Sequence, residues 1–107
     1  MDIDSVTECD CGIAAAAGER WDLAEMHFIN ALHTARTAPH VPAEADVLRW
    51  HAWMLLRRRA PGDEDRAVGL LREAVAVAER VGLPRRARLA ATMLEEARHR
   101  APGYSLE

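Results

Sequence analysis

The side chains best suited to chemistry are two cysteines near the start of the chain and the histidines spread along it. Cys9-Asp10-Cys11 sets two thiols two residues apart, and five histidines follow: His27, His33, His40, His51 and His99. Thiolates and imidazoles are zinc ligands, so a metal-binding or small-ligand sensor using these Cys and His residues is one function class open to the sequence. The spacing argues against a metal centre. Residues two apart on a helix point about 200° away from each other, so Cys9 and Cys11 would face nearly opposite sides. Cys-x-Cys with scattered histidines also matches none of the paired zinc patterns. The expectation is two ordinary thiols in a reducing cytoplasm, with no metal and no cofactor.

Other reactive groups lack the company that catalysis requires. Ser5 and Ser105 lie near the two ends, and no Gly-rich elbow sets either beside a base. Glu95-Glu96 and Asp63-Glu64-Asp65 fall at helix ends or on polar faces, where carboxylates complement the helix dipole and solvate the surface. Arg57-Arg58-Arg59 and the group Arg85, Arg86 and Arg88 could touch phosphate. Aromatic residues make up only 5% of the chain, however, and the net charge is −3, so nucleic acid is not the expected partner. The chain reads as a non-enzyme.

The small net charge conceals a polarity along the chain. Through Asp46 there are nine acidic residues against two arginines, and from Val47 onward twelve arginines against eight acids. Such a molecule could steer an oppositely charged partner or stack head to tail with itself. All fourteen basic residues are arginine, which together with the many alanines points to a GC-rich bacterial genome. The N-terminus is acidic where a secretory signal would be basic, and no apolar run is long enough to span a bilayer. A cytoplasmic protein with no membrane contact is expected.

The elements that must carry these side chains are helices. The chain is half hydrophobic, with Ala, Leu and Val supplying most of the apolar side chains, a composition that suits closely packed helices in one domain of 107 residues. Ala24, Phe28 and Ala31 recur 43 residues later as Ala67, Leu71 and Ala74. Each triplet follows a turn, Gly18-Glu19-Arg20-Trp21 or Pro61-Gly62-Asp63-Glu64. The same small-large-small spacing twice over marks a repeat architecture.

Periodicity and capping signals predict five helices. The first opens with Ser5-Val6-Thr7-Glu8, a capping box with Ser5 as N-cap, and stops near Gly18. The second runs from about Trp21 to Arg36 with Ala24, Phe28, Ala31 and Ala35 in one stripe, and Pro39 and Pro42 impose a break from Thr37 to Pro42. The third, about Ala43 to Arg59, is apolar almost all the way round through Val47, Leu48, Trp50, Ala52, Trp53, Met54, Leu55 and Leu56. It is the expected inner helix, with the tryptophans in the core. The fourth, Asp63 to Val81, buries Ala67, Val68, Leu70, Leu71, Ala74, Val75, Ala78 and Val81 and is closed by Gly82 in a left-handed cap. The fifth, Pro84 to about Arg100, turns Leu89, Ala90, Met93, Leu94 and Ala97 inward and serves as a polar terminal cap.

These residues resemble the tetratricopeptide repeat family. Gly12, Trp21, Ala24, Phe28 and Ala31 fit one repeat, and Ala52, Ala67, Leu71 and Ala74 fit a second. The stretch from Glu25 to Ala97 resembles more specifically the C-terminal repeat region of bacterial LuxR-type transcription activators and multidomain nucleotide cyclases. It includes Glu25-Met26-His27-Phe28, the Arg57 to Asp63 turn and Arg80-Val81-Gly82-Leu83. The resemblance implies an all-α chain forming a short α-solenoid of two tetratricopeptide-like helix pairs (5–36 and 43–82) plus a capping helix (84–100). It implies a non-enzymatic protein–protein interaction scaffold, a regulatory module of a signalling or transcription system whose partner is another protein or peptide. In the family the first helix of each pair lines the groove. That places Cys9, Ile13 and Ala16 on one wall and Asp46, Arg49, Trp53 and Arg57 on the other, with Arg49 and Arg57 clamping a peptide carboxylate. Two repeats leave an open end, so a homodimer through the N-terminal helix pair is expected, built on Ile13 and Ala14 to Ala17 and assisted by Trp21.

Overall fold

A computed structural model describes residues 4–37 and 41–100, without the side chains of Val41 and Arg100. Pro39, His40 and Ser105, singled out above, lie outside the described residues. The described chain is all-α: α1 (Ser5–Ala17), α2 (Trp21–Thr37), α3 (Val41–Arg58), α4 (Asp63–Arg80) and α5 (Pro84–Arg100), with no strand among the described residues. No helix among them is long and apolar enough to cross a membrane.

The helix ends show where local signals compete. α1 is capped by Asp4, whose Oδ1 accepts from the Thr7 N–H at 2.8 Å. The capping box expected at Ser5 and Glu8 therefore does not form. A carboxylate at the cap takes the hydrogen bond and also meets the positive end of the dipole, so the helix starts one residue early. Ser5 is then buried inside the first turn, and Glu8 is bonded to His27 of α2. At the other end Arg20 N–H donates to the Ala15 carbonyl at 2.9 Å and Glu19 N–H to that of Ala16 at 3.0 Å, a Schellman motif. Its left-handed residue is Glu19 (φ 59°), not Gly18. α4 closes in the same way, and there the left-handed position is Gly82 (φ 75°), as the sequence indicates. The break between α2 and α3 is narrower than expected, because Thr37 is still helical and Val41 and Pro42 already belong to α3. Proline is tolerated in a first turn, where its missing N–H removes no helical bond.

α3 is the central helix, packed against all four others. Its side neighbours α1 and α5 lie in one layer with it. α2 and α4 form a second layer, with no close backbone approach between them, and are tied by Arg36 to Glu73 and Arg66 to Glu25. Val47, Leu48, Ala52, Met54, Leu55 and Leu56 of α3 are buried, which accounts for its all-round apolar sequence. Trp50 and Trp53 are only half-buried, at the edge of the core rather than within it.

Both small-large-small triplets are fully covered: Ala24, Phe28, Ala31, Ala67, Leu71 and Ala74 are each 0–1% exposed. Gly12 shows why a residue without Cβ stands where it does, since a Cβ there would lie 2.9 Å from the Phe28 ring. Two inward assignments are corrected. Val77 takes the buried position in α4 and Val81 is 45% exposed, because the helix ends before Val81 can turn under. In α5, Ala90 and Ala97 are buried while Leu89 is 41% exposed, lying outside the narrow face that α4 covers.

Candidate functional site

On the side of α3 that faces α2 and α4, the fold builds a polar seam over the Phe28 ring. His51 stacks on Phe28 (ring centroids 5.5 Å apart, 15° between planes), and its Nε2–H donates to Glu25 Oε2 at 3.2 Å. Glu25 also accepts from Arg58 at 3.3 Å and from Arg66. Arg58 in turn grips the buried Asp63 with two bonds, Nε to Oδ2 at 2.7 Å and Nη2 to Oδ1 at 2.9 Å, and the Ala60 N–H donates to Asp63 as well. The two-pronged Arg58 contact lowers the Asp63 pKa and raises that of Arg58. Burial opposes ionisation of Glu25, but the hydrogen bonds from Arg66 and His51 hold its carboxyl below the ordinary value. Burial lowers the His51 pKa despite Glu25, so the ring is neutral at pH 7. Every group in the seam has a partner, and its work is to pin α2, α3 and α4 together.

The opposite side of α3 carries the residues assigned to the groove. Asp46, Arg49 and Trp53 are half-buried and Arg57 is exposed, in one stripe along the helix. The Arg49 guanidinium lies over the Trp50 ring, 4.8 Å from its centroid, and Arg57 over Trp53 at 5.1 Å. The two tryptophans meet edge to face at 5.3 Å. Trp50 is thus part of the same ladder, although the sequence reading assigned it to the core; its spacing of three from Trp53 was the available signal. Arg49 and Arg57 are eight residues apart, about 12 Å along the axis, too far to clamp one carboxylate between them.

The α1 wall is largely closed. Cys9 (6% exposed) and Ala16 (0%) face the core and Ile13 is packed against it, so they offer a partner little or no surface. α1 rests directly on α3, and the cleft left between them, lined by Val6, Cys9, Asp46 and Trp50 among others, measures about 100 Å³. The run proposed for self-association is split. Ala14 and Ala17 face outward, but Ala15 (8% exposed) faces inward with Ala16 because α1 packs on both α2 and α3. Trp21 is half-buried in its own turn, beside Leu56, Arg57 and Arg59.

The thiols do not converge with histidines. Burial, reinforced by Asp10 and Asp46, pushes the Cys9 thiol up to about 12, so at neutral pH it is neither nucleophile nor ligand. Among the described residues, no group of three or more His, Cys, Asp or Glu side chains could hold a metal ion. His27 is bonded to Glu8 and His51 to Glu25, each joining two helices.

No family model, curated protein or solved structure matches this chain.

Proposed function

We propose that this chain is a non-enzymatic protein-interaction scaffold of tetratricopeptide type, a regulatory module of a bacterial signalling or transcription system, and that its ligand is an extended acidic peptide laid along α3. What supports this reading is the ladder Arg49-Trp50-Trp53-Arg57, whose cations are held over aromatic faces. A guanidinium fixed in this way loses less freedom on binding a carboxylate than one swinging in solvent. The axial distance of about 12 Å corresponds to three or four residues of extended chain, so the preferred peptide carries acidic side chains at that spacing. The same reading includes a homodimer through the N-terminal helix pair, in which Val6 of α1 and Met26 and Ile29 of α2 are exposed.

Fluorescence anisotropy tests the peptide reading directly. A labelled extended peptide with two glutamates four residues apart should bind, its glutamine counterpart should not, and Arg57→Ala should weaken binding more than tenfold without moving the melting curve. Equal affinity for both peptides, or for both proteins, would remove the ladder from consideration. Sedimentation at micromolar concentration tests the dimer, which Ile29→Glu should dissociate with helicity intact.

A further inference from the structure

Three arginines gather around one acidic side chain where α5 meets α3. α5 opens at Pro84, and its first turn holds Arg85 and Arg86 but no acidic residue. Cations there work against the helix dipole, which favours carboxylates at that end. Both reach the cleft between α3 and α5, about 170 Å³ in volume and lined by Asp46, Arg49, Arg85, Arg86 and Leu89. Three guanidinium groups face one carboxylate.

That carboxylate orients the donors without exhausting them. Arg86 Nε donates to both oxygens of Asp46, at 3.2 and 3.3 Å, and its two terminal nitrogens have no partner among the described residues. Arg49 approaches Asp46 only to 3.8 Å, beyond hydrogen-bond reach, and is held instead over Trp50. Arg85 is exposed and has neither an ion pair nor a hydrogen bond among the described residues. Two positive charges are left over, with the forked donors of Arg49 and Arg86 already positioned.

We infer that this cleft binds the dianionic phosphoryl group of a phosphorylated peptide side chain, a phosphoserine or phosphothreonine, through Arg49, Arg85 and Arg86. A phosphoryl ester carries about −1.5 to −2 charge at pH 7 and three acceptor oxygens, matching the surplus in both charge and donor number. A carboxylate would neutralise only half of it. The cleft is smaller than the roughly 300–1,000 Å³ that encloses a whole metabolite, so a group presented on a chain outside it fits better than a free cofactor. The peptide part of this inference rests on the proposed function, since Arg49 belongs to both the cleft and the α3 ladder. The anion site does not.

The experiment uses two probes on the full chain: inorganic phosphate, and a short glycine-flanked phosphoserine peptide amidated at its C-terminus, with its unphosphorylated serine form as control. Arginine Nε–H signals are followed by nuclear magnetic resonance at constant ionic strength. The phosphopeptide should bind at least about tenfold more tightly than inorganic phosphate, and the serine peptide should not bind. Arg85→Ala should weaken the phosphopeptide about tenfold, the loss of one charge-assisted bond, with an unchanged melting temperature because Arg85 has no partner to lose. Affinity should rise between about pH 5.5 and 7.5 with the second ionisation of the phosphate, since arginine does not titrate there. Phosphate acting no more strongly than chloride, or an Arg85→Ala variant with undiminished affinity, would overturn the site. Inorganic phosphate binding as tightly as the phosphopeptide would overturn the peptide as its source. Because the peptide ends in an amide and carries no glutamate, failure here leaves the acidic-peptide test of Arg57 untouched, and the reverse also holds.

Discussion

On the α2–α4 side of α3, Glu25, His51, Arg58, Asp63 and Arg66 satisfy one another across three helices, whereas on the α1–α5 side Arg49, Arg85 and Arg86 line one cleft with the single carboxylate of Asp46, which among the described residues hydrogen-bonds only to Arg86. The side-chain types are the same on both sides and the consequences are opposite. Where donors and acceptors balance under cover, charge fixes the geometry of the fold, and removing one member strands the rest. Where cations exceed acceptors at a half-open surface, charge adds little to stability and is available to a ligand. Charge balance, rather than the amount of charge, separates the structural side from the side proposed for recognition.

The sharpest way to break this contrast is Asp63→Ala. It leaves Arg58 and the Ala60 N–H without their acceptor beside the core, and we expect a loss of about 3–5 kcal/mol, read from urea denaturation. A loss below about 1 kcal/mol would mean that the seam is as dispensable as an exposed pair. Next in size is Gly12→Ala, whose methyl would press on Phe28 beneath the seam. It should destabilise by about 1–3 kcal/mol through overpacking. Ala67→Leu, at the triplet position in α4 that matches Ala24, belongs in the same range, and an unshifted midpoint in either variant would show that the packing there is loose.

His51 supplies a smaller, pH-dependent effect. Its folded pKa lies below the ordinary 6.5, so the folded protein takes up the proton less readily than the unfolded chain. Its contribution is therefore complete above about pH 6.5 and declines as pH falls from there through the folded pKa, by no more than about 1.4 kcal/mol per pH unit for one proton. Comparing stability at pH 7.5, 6 and 5 in the wild type and in His51→Gln isolates this slope, which the variant should lose. The smallest effect should come from the other side of α3: Arg57→Ala should change stability by no more than about 0.5 kcal/mol. A larger loss in thermal or urea unfolding would place Arg57 with the seam rather than with recognition.

Some of this was legible from residue order and some was not, and the reasons differ by residue. The Ala24-Phe28-Ala31 and Ala67-Leu71-Ala74 triplets, the all-round apolar α3 and the Gly82 cap were readable because each is written within a few consecutive turns at the 3.6-residue period. Asp4 as the cap of α1 was missed because Ser5 gives an equally good local signal. The choice between them fell to Glu8, whose carboxylate bonds to His27 on the neighbouring helix. Asp46, Arg49, Trp53 and Arg57 could be read as one stripe because they share a helical face of α3; whether that stripe lines a groove was not legible there. The groove assignment could not register that α1 would rest on α3 and bury Cys9 and Ala16.

By itself, then, the sequence determined that the described residues form five helices, where each begins and ends to within a few residues, and which helix lies innermost. Those properties follow from local propensity and from the periodicity of burial along one element. The tertiary structure alone decided which charges meet. Glu25 finds His51, Arg58 and Arg66 at separations of 26, 33 and 41 residues, and Arg86 finds Asp46 at 40. No spacing rule reaches that far. Ion pairing depends on side-chain distances of a few ångströms, and those are set only when the helices have packed and each apolar stripe has fixed the rotation of the polar face behind it.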